Sequence, residues 1–329
     1  MAGFAVIRAL ALALLMATPA SADVAEAVGD VILPAYDRLA DATADLDRTA
    51  QADCAPQALH PGFAAVWDAW AAIDFLRIGP VEQDGRALAI SFWPDPKASG
   101  PRAQQALIDA AAPAVDDPAA FADLSVAVRG LSGLERLVYP SPLTGDADYL
   151  CRLRRATAAD LARMAAEVRA EWDGYAARLL EPGGPGNTDF LTQTEARAAL
   201  FTQVATGLTA LADKRLGRPL GSFDAPRPER AEAVASGRSL ANVTRSLTGL
   251  RDMALALYPD APRTRAAFDR AIGLAERLDD PVFAGVADPS GRLKVEILQQ
   301  AVQAARAEAE VEIGGGLGLS VGFNAQDGD

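Results

Sequence analysis

The sequence Arg-Gly-Leu-Ser-Gly-Leu-Glu at residues 129–135 recurs at residues 245–251 as Arg-Ser-Leu-Thr-Gly-Leu-Arg. The two copies occupy corresponding places in the two halves of the chain, which indicates that one helical unit was duplicated. Only the first copy carries a carboxylate, Glu135, where the second copy has Arg251. The repeat therefore predicts two related helical units and one asymmetric position at which a functional site can form.

Most of the chain repeats its apolar residues with helical spacing and seldom with the alternation typical of strands. We predict helices over residues 24–50, 61–78, 101–113, 118–139, 156–181, 192–215, 228–258, 262–278 and 291–311. A Pro-Gly-rich break at residues 181–186 divides the chain near its middle. The predicted fold is all-α, with two antiparallel helical bundles, residues 23–181 and 187–329, related by internal duplication.

The second bundle ends in a glycine-rich tail. Six glycines from Gly314 to Gly328 predict that the last helix stops before them, because glycine disfavours helix interiors. Apolar residues alternate within the tail at positions 317, 319, 321 and 323, which is typical of an extended segment packed on the body. A tail without fixed structure is the alternative.

The N-terminus has the pattern of a secretory signal peptide. Arg8 precedes an apolar run from Ala9 to Ala17, and Ala20-Ser21-Ala22 provides a cleavage site with small residues. That run is too short to span a membrane, and no later run reaches the roughly 18 apolar residues that a spanning helix needs. We expect residues 1–22 to be removed and the mature chain, without a membrane span, to reside in the periplasm.

Charge and histidine content exclude several functions. The chain has 31 basic and 44 acidic side chains, a formal net charge of −13, which repels nucleic acid. Its single histidine, His60, lies in a Leu-His-Pro-Gly sequence for which we predict a turn, and one histidine cannot form a His-Glu-x-x-His zinc helix. Arg152, Arg154 and Arg155 form a dense basic run that we expect to lie on a solvated surface.

Cys54 and Cys151 are the two cysteines of the chain. Export to an oxidising compartment favours a disulfide between them. Such a bridge would close a loop of about 100 residues and stabilise the fold by roughly 4–5 kcal/mol in the chain-entropy model. Two buried free thiols are the alternative.

A first candidate site follows from the predicted helix 61–78. At 100° per residue, Trp67, Trp70, Asp74 and Arg77 fall on one face of that helix. Two interpretations stay open at this stage. The four side chains form the wall of a polar groove, or the indoles belong to the core and the charged pair is a structural ion pair.

Glu135 marks a second candidate site, because it falls inside the apolar arc of the predicted helix 118–139. A carboxylate that faces a core is costly unless it is paired or hydrogen-bonded. We therefore expect a partner for Glu135: an arginine such as Arg77 or Arg129, a metal ion, or a proton held through a raised pKa. Gly133 beside it predicts close approach of a neighbouring helix.

Several segments, taken together and in order, resemble the imelysin family, exported bacterial proteins that are similar to an insulin-cleaving peptidase. The resemblance covers essentially the whole mature chain. The segments that carry it are Ile32-Leu-Pro-Ala-Tyr36, Trp67-x-x-Trp70, Asp74-Phe-Leu-Arg77-Ile-Gly79-Pro80, Phe92-Trp-Pro-Asp-Pro96 and the ending from Leu317 to Asp329.

The family resemblance implies a site motif, Gly-x-His-x-x-Glu, which here matches Gly130, Ser132 and Glu135. Serine therefore stands where the family has histidine, and Asp74 falls where relatives commonly have glutamate. The resemblance implies an extracytoplasmic role in metallopeptidase activity or in iron uptake. Because a neutral serine hydroxyl is a poor ligand for zinc or iron, a metal would depend on Asp74 and Glu135.

These features predict an exported, non-catalytic binding protein linked to the uptake of iron or another divalent metal. Its site would be a groove between Asp74 and Arg77 on one side and Ser132 and Glu135 on the other. Two alternatives are an imelysin-type metallopeptidase with an atypical site and an adaptor that binds another exported protein through the groove or the loop 92–96. Hydrolysis by a metal-bound water usually needs three protein ligands and a base, which the sequence does not supply.

Overall fold

The computed structural model describes residues 23–319, so the predicted signal peptide and the last ten residues lie outside the described part. Within residues 23–319 the regular structure is helical, and none of these helices is both long and apolar enough to cross a membrane. The α-helices are α1 Val24–Glu26, α2 Leu33–Ala52, α3 Pro56–Ala71, α4 Arg86–Ile90, α5 Ser99–Asp109, α6 Pro118–Ala122, α7 Gly130–Val138, α8 Ala147–Leu180, α9 Gln193–Ala210, α10 Gly217–Leu220, α11 Ser239–Leu257, α12 Pro262–Glu276 and α13 Pro289–Ala309.

Two groups of four helices form the body, which confirms the predicted all-α bundle fold. In the first bundle α2 packs on α3 and α8, and α7 packs on α3 and α8. In the second bundle α11 packs on α9 and α12, and α13 packs on α9 and α12. Helices α3 and α11 contact each other across the two bundles, so one hydrophobic core is continuous through both.

The long helix α8 shows how the sequence builds this core. Asp146 caps its N-terminus by accepting a hydrogen bond from the amide of Tyr149 at 3.0 Å. Its buried residues recur every three or four positions, as Leu153, Thr157, Leu161, Met164, Val168 and Trp172 do. This spacing places them on one face toward α2, while the opposite face carries charged residues.

The predicted disulfide is confirmed between Cys54 and Cys151, whose Cα atoms are 5.4 Å apart. It joins the connection after α2 to the first turns of α8. The neighbouring basic run is not simply solvated, which corrects that expectation. Arg154 donates to the carbonyl of Leu137 at 2.9 Å, and Arg155 donates to the carbonyl of Ala50 at 3.1 Å.

The predicted helix 118–139 is wrong in its continuity, because the chain breaks at residues 123–129. Arg129 is extended and Gly130 has φ +65°. A Cβ atom at Gly130 would lie 2.0 Å from the carbonyl oxygen of Ala89. Glycine is therefore required at this position for both its backbone conformation and the close approach of the C-terminal end of α4.

The glycine that the two repeats share has a packing role that differs between the copies. At Gly249 of α11, a Cβ atom would lie 1.9 Å from the carbonyl oxygen of Ala72, so the end of α3 packs directly on the α11 backbone. At Gly133 of α7, the closest atom is instead the carbonyl oxygen of Val128, at 2.4 Å. The close approach of a neighbouring helix that was predicted for Gly133 thus occurs at Gly249, its equivalent in the second repeat, and not at Gly133.

Other helix boundaries also differ from the prediction. The helix predicted over 156–181 is α8, which begins nine residues earlier, at Ala147. The helix predicted over 228–258 begins only at Ser239, because Ala233 and Gly237 both adopt positive φ in the preceding turns. The helix predicted over 61–78 is α3, which starts earlier at Pro56 and ends at Ala71. Its early end matters for the site, because it leaves Asp74 and Arg77 outside the helix.

The start of the glycine-rich tail is helical, which corrects the expected stop before Gly314. After α13 a wide π-type segment, Glu310–Gly314, carries the helix onward, and Gly315 keeps helical dihedral angles. Ile313 is fully buried, so packing against the core outweighs the low helix propensity of glycine here. Leu317 and Leu319 are partly buried against the core, whereas the predicted extended segment beyond them lies outside the described residues.

Candidate functional site

The structure separates the four residues of the predicted Trp–Asp–Arg stripe. Trp67 and Trp70 are each 1% exposed and belong to the core, so they do not line a groove. Asp74 and Arg77 lie in the turn after α3, and the helical-face geometry predicted for them is therefore wrong. Arg77 still contacts the indole of Trp70 from above, with its guanidinium carbon 5.5 Å from the ring centre.

A buried arginine from the second half of the chain, Arg215, joins Asp74 to a second carboxylate. Its Nη2 lies 2.6 Å from Oδ2 of Asp74, and its Nε lies 3.0 Å from Oε2 of Glu232. Nη1 of Arg215 donates to the hydroxyl of Ser246, which in turn donates to the carbonyl of Ala71 at 2.7 Å. Asn242 completes the network by donating to Glu232 at 3.1 Å. We call these residues the Arg215 network.

Local structure explains why Arg215 points inward. Residues Leu211–Leu216 form a π-type segment in the long helix that begins as α9. Such a widened turn shifts the helix register and often occurs at functional sites. Leu211 and Leu208, one and two turns before Arg215, are buried on the same face. Glu232 comes from the turns before α11, and its side chain is only 6% exposed.

Burial and charge act against each other at this network. Burial lowers the pKa of Arg215, but the carboxylates of Asp74 and Glu232 raise that pKa by more than burial lowers it. The pKa of Arg215 therefore lies above its ordinary value. Burial raises the pKa of Glu232, and Arg215 and Asn242 offset part of that rise. The arginine therefore stays charged and balances one of two buried carboxylates.

The Arg215 network forms one wall of a cavity of about 520 Å³ between the two bundles, which we call the interbundle cavity. Its volume lies within the range of small-molecule sites. Six charged side chains line it, three of each sign: Asp74, Glu82, Glu232, Arg77, Lys214 and Arg215. Apolar walls separate these charges, and their largest members are Phe75, Leu88, Trp93, Leu211 and Leu250.

Lys214 is the least constrained charge in the interbundle cavity. It is exposed, and within residues 23–319 no carboxylate lies within 4 Å of its ammonium group. Arg77, in contrast, is 3.7 Å from Glu82, and Arg215 is held on two sides. A ligand with a negative group would therefore meet an available cation at Lys214.

Glu135 does have a partner, but it is none of the arginines proposed from the sequence. Oε1 of Glu135 accepts hydrogen bonds from the backbone amide of Ser236 at 2.9 Å and from its hydroxyl at 2.6 Å. Arg129 pairs instead with Asp160, at 2.8 Å. Burial raises the pKa of Glu135, the Ser236 hydrogen bonds lower it, and nearby Glu232 raises it again, with a net rise. Glu135 is therefore accommodated by the hydrogen bonds from Ser236 together with the raised pKa that the sequence predicted.

The other motif residues fix backbone rather than line the interbundle cavity. Ser132 donates its hydroxyl to the carbonyl of Phe92 at 3.1 Å, which ties α7 to the loop 92–96. Gly130 permits the close contact with Ala89 described above. The residues that line the cavity include neither Ser132 nor Glu135. The cavity that contains Asp74 and Arg77 is instead completed by Lys214, Arg215 and Glu232, so it is not the groove predicted between Asp74/Arg77 and Ser132/Glu135.

The residues at this site do not fit a closed zinc or iron centre. Within residues 23–319 no three His, Cys, Asp or Glu side chains are grouped so that they could hold a metal ion. The charge that a metal would bring between Asp74 and Glu232 is supplied by Arg215. The turn predicted at His60 is wrong, because this residue lies within α3. Its Nε2 is 2.8 Å from the carbonyl oxygen of Val138, and its ring stacks on Tyr139.

The sequence contained one signal for the residues that the prediction missed. Arg215 follows Leu208 and Leu211 at helical spacing, so a charged residue stands on an apolar face. Glu135 shows the same signal, a charged residue on an apolar helix face. Glu232 and Ser236 gave no such signal, because they lie in turns that were assigned to a helix.

Comparison with protein families assigns the chain to one of them. The family model for imelysin, a peptidase family, matches residues 32–309, which is most of the chain. The chain therefore belongs to the imelysin family. No curated protein matches the sequence significantly.

Two solved structures share the fold. An imelysin-like protein from Psychrobacter arcticum 273-4 is similar with a TM-score of 0.72 and 19% sequence identity, over 91% of this chain and 96% of that chain. A protein from Parabacteroides distasonis ATCC 8503, described as an iron-regulated protein A precursor, is similar with a TM-score of 0.71 and 12% identity, over 88% and 93% of the two chains. At these identities the likeness concerns the fold alone.

Proposed function

We propose that this protein is an exported, non-catalytic binding protein of the imelysin family that acts in iron-linked uptake from the periplasm. The observation that carries the proposal is the guanidinium of Arg215 between Asp74 and Glu232. It neutralises charge at the position where a hydrolytic metal would need open carboxylate ligands. A site of this kind can hold a ligand but lacks the means to activate water.

The contents of the interbundle cavity define the ligand class. A bare metal ion needs several converging oxygen or nitrogen ligands, whereas this cavity offers paired carboxylates, an available ammonium group and apolar walls. Lys214 suits an anionic group, and Trp93 and Leu250 suit the carbon skeleton that carries it. We therefore propose a small organic acid, free or as its ferric chelate, in place of direct metal binding by Asp74 and Glu135.

Two observations support the link to export and iron. The sequence of residues 1–22 has the pattern of a secretory signal peptide. One structural relative is described as an iron-regulated protein A precursor.

Calorimetric titration of residues 23–329 with ferric citrate, with citrate alone and with Fe³⁺ or Zn²⁺ salts tests this function. We expect binding of citrate or its ferric chelate, and at least a 10-fold weaker affinity in Lys214→Gln. Lys294→Gln, at an exposed position on α13, is the matched control and should bind like wild type. Equal affinity in Lys214→Gln, or no binding of either form of citrate, would contradict the proposed ligand class.

The catalytic alternatives have separate readouts. Incubation of the same protein with an unstructured substrate such as casein should give no cleavage, with or without added Zn²⁺. Cleavage that disappears in Glu135→Gln would establish the metallopeptidase alternative. Metal binding that disappears in Glu135→Gln would restore the direct metal site at Asp74 and Glu135.

A further inference from the structure

A second cavity, of about 280 Å³, lies on the first bundle and shares no residue with the interbundle cavity. Its floor is apolar and is formed by Val115, Phe121, Ala156 and Ala159. Phe121 is only 1% exposed, so its ring belongs to the core while one face closes the cavity. This volume is at the lower end of the range for small-molecule sites, which indicates a small ligand.

Three arginines of α8 line this cavity along one helix face: Arg152, Arg155 and Arg163. The outer two are eleven residues apart, which corresponds to about 16 Å along the helix at 1.5 Å per residue. We call the cavity the arginine trough. The trough thus has an apolar floor, with Arg152 and Arg163 at its two ends and Arg155 one helical turn from Arg152.

The three guanidinium groups are engaged to different degrees. Arg152 pairs with Asp116. Arg163 lies 2.7 Å from Asp160 and 2.9 Å from Glu167. Arg155 uses only its Nε, which donates to the carbonyl of Ala50 at 3.1 Å. Among residues 23–319 its two terminal amino groups have no hydrogen-bond acceptor and no carboxylate within 4 Å.

The arginine trough carries a net positive charge, whereas the protein as a whole is negatively charged. Three arginines and two carboxylates, Asp116 and Asp160, line the trough, which leaves one positive charge. Behind this lining, Arg129 pairs with Asp160 at 2.8 Å and Glu167 pairs with Arg163 at 2.9 Å, so these two outer charges cancel and the balance is unchanged. The chain as a whole carries a formal net charge of −13. A positive cavity on so acidic a protein selects anions locally.

We infer that the arginine trough binds a small carboxylate with an apolar body, such as a short aliphatic or aromatic acid. The terminal amino groups of Arg155 have the fork geometry that holds a carboxylate through two parallel hydrogen bonds. The apolar body would lie on Phe121, Ala156 and Ala159, where it leaves water. Inorganic phosphate could use the arginine but would gain nothing from that floor.

The disulfide holds the walls of the trough in place. Gln51, at the end of α2, lines one side, and Arg152 on α8 lines the other. They lie close in sequence to Cys54 and Cys151, the two bonded cysteines. The cross-link therefore fixes the opening before a ligand arrives, which lowers the ordering cost of binding.

Calorimetric titration of residues 23–329 with hexanoate and with benzoate tests this inference, with 1-hexanol and inorganic phosphate as reference probes. We expect at least one acid to bind, and to bind at least 10-fold more tightly than either reference probe. Arg155→Gln should weaken binding at least 10-fold, and Ala159→Leu should abolish it by filling the floor. Arg102→Gln, an exposed arginine without an ion pair in residues 23–319, is the matched control and should bind like wild type.

Thermal unfolding of each variant separates loss of the ligand site from loss of the fold. The inference is overturned if neither acid binds, or if Arg155→Gln binds as tightly as wild type while folded. Phosphate binding as tight as that of the acids would overturn the role of the apolar floor. Loss of citrate binding in Lys214→Gln does not bear on this result, because that residue lies in the other cavity.

Discussion

Arg215 and Asp74 are 141 residues apart in sequence, yet Nη2 of the arginine lies 2.6 Å from Oδ2 of the aspartate. The pair joins the second half of the chain to the turn that follows α3. The same guanidinium binds Glu232 and Ser246, so one side chain organises groups from three segments. This contact connects the duplicated fold to its proposed function, because it fills the position at which a metal-dependent enzyme would need open ligands.

Removal of the Arg215 charge should strongly destabilise the fold. In Arg215→Met the carboxylates of Asp74 and Glu232 stay buried without their partner, which typically costs about 3–5 kcal/mol. The free energy of unfolding from urea titration at pH 7 measures this loss. Arg102→Met, at an exposed position, is the control and should change stability by less than about 0.5 kcal/mol.

The same variant should also respond to pH. Without Arg215, burial holds the folded-state pKa of Glu232 above its unfolded value. Stability is then greatest below the unfolded pKa and falls as pH rises through the folded one. Arg215→Met should therefore recover part of its lost stability between pH 7 and pH 4. A deficit that stays constant over this range would contradict the account of buried, uncompensated carboxylates.

Glu135→Gln should cost little stability at neutral pH. Because burial raises the folded pKa of Glu135 above the ordinary 4.5, its contribution is complete below about pH 4.5 and is lost as pH rises. Glutamine keeps the acceptor for both Ser236 hydrogen bonds and carries no charge. We expect the free energy of unfolding of the variant at pH 7 to lie within about 1 kcal/mol of the wild-type value or above it. A loss above about 2 kcal/mol would indicate a cationic partner at Glu135.

Gly130→Ala tests the backbone role of the motif glycine. The new Cβ would lie 2.0 Å from the carbonyl oxygen of Ala89, and φ +65° is itself unfavourable for alanine. We expect a loss of about 2–4 kcal/mol in chemical unfolding. Gly186→Ala is the matched control, because φ is +79° there and no atom lies within 4 Å of the new Cβ. It should cost only about 1 kcal/mol, and equal losses at both glycines would argue against the steric contact.

The disulfide should contribute measurably to stability. Replacement of both Cys54 and Cys151 by alanine should lower the free energy of unfolding by about 2–5 kcal/mol. Urea titration of this variant against oxidised wild type measures the difference. A loss well under 1 kcal/mol would mean that α2 and α8 are already held together by their own packing.

Much of the fold could be predicted from local patterns. Apolar spacing identified the long helices, the repeat 129–135 and 245–251 indicated the duplication, and two cysteines in a chain with a predicted signal peptide predicted their bridge. Helix boundaries were less predictable. Gly130 ends one apparent helix because of a carbonyl from a distant segment, which no local pattern encodes. Likewise Ile313 keeps the chain helical into the glycines because it packs in the core.

The candidate site could be predicted only in part. Burial of Glu135 followed from its place on an apolar face, but its partner Ser236 lies 101 residues away in a turn. Asp74 was predicted to lie on a face of the helix 61–78, but that helix ends three residues before it, at Ala71. The partner that matters most, Arg215, approaches through a π-type segment whose register sequence spacing does not reveal. Contacts between separate segments, rather than residue types, decide the chemistry here.

The most direct test of the central claim is the calorimetric affinity of residues 23–329 for ferric citrate in wild type and Lys214→Gln. The account predicts binding by the wild type, at least a 10-fold loss in Lys214→Gln, and no dependence on added Zn²⁺. Equal affinity in the two proteins, or binding of bare Fe³⁺ that is lost in Glu135→Gln, would contradict it.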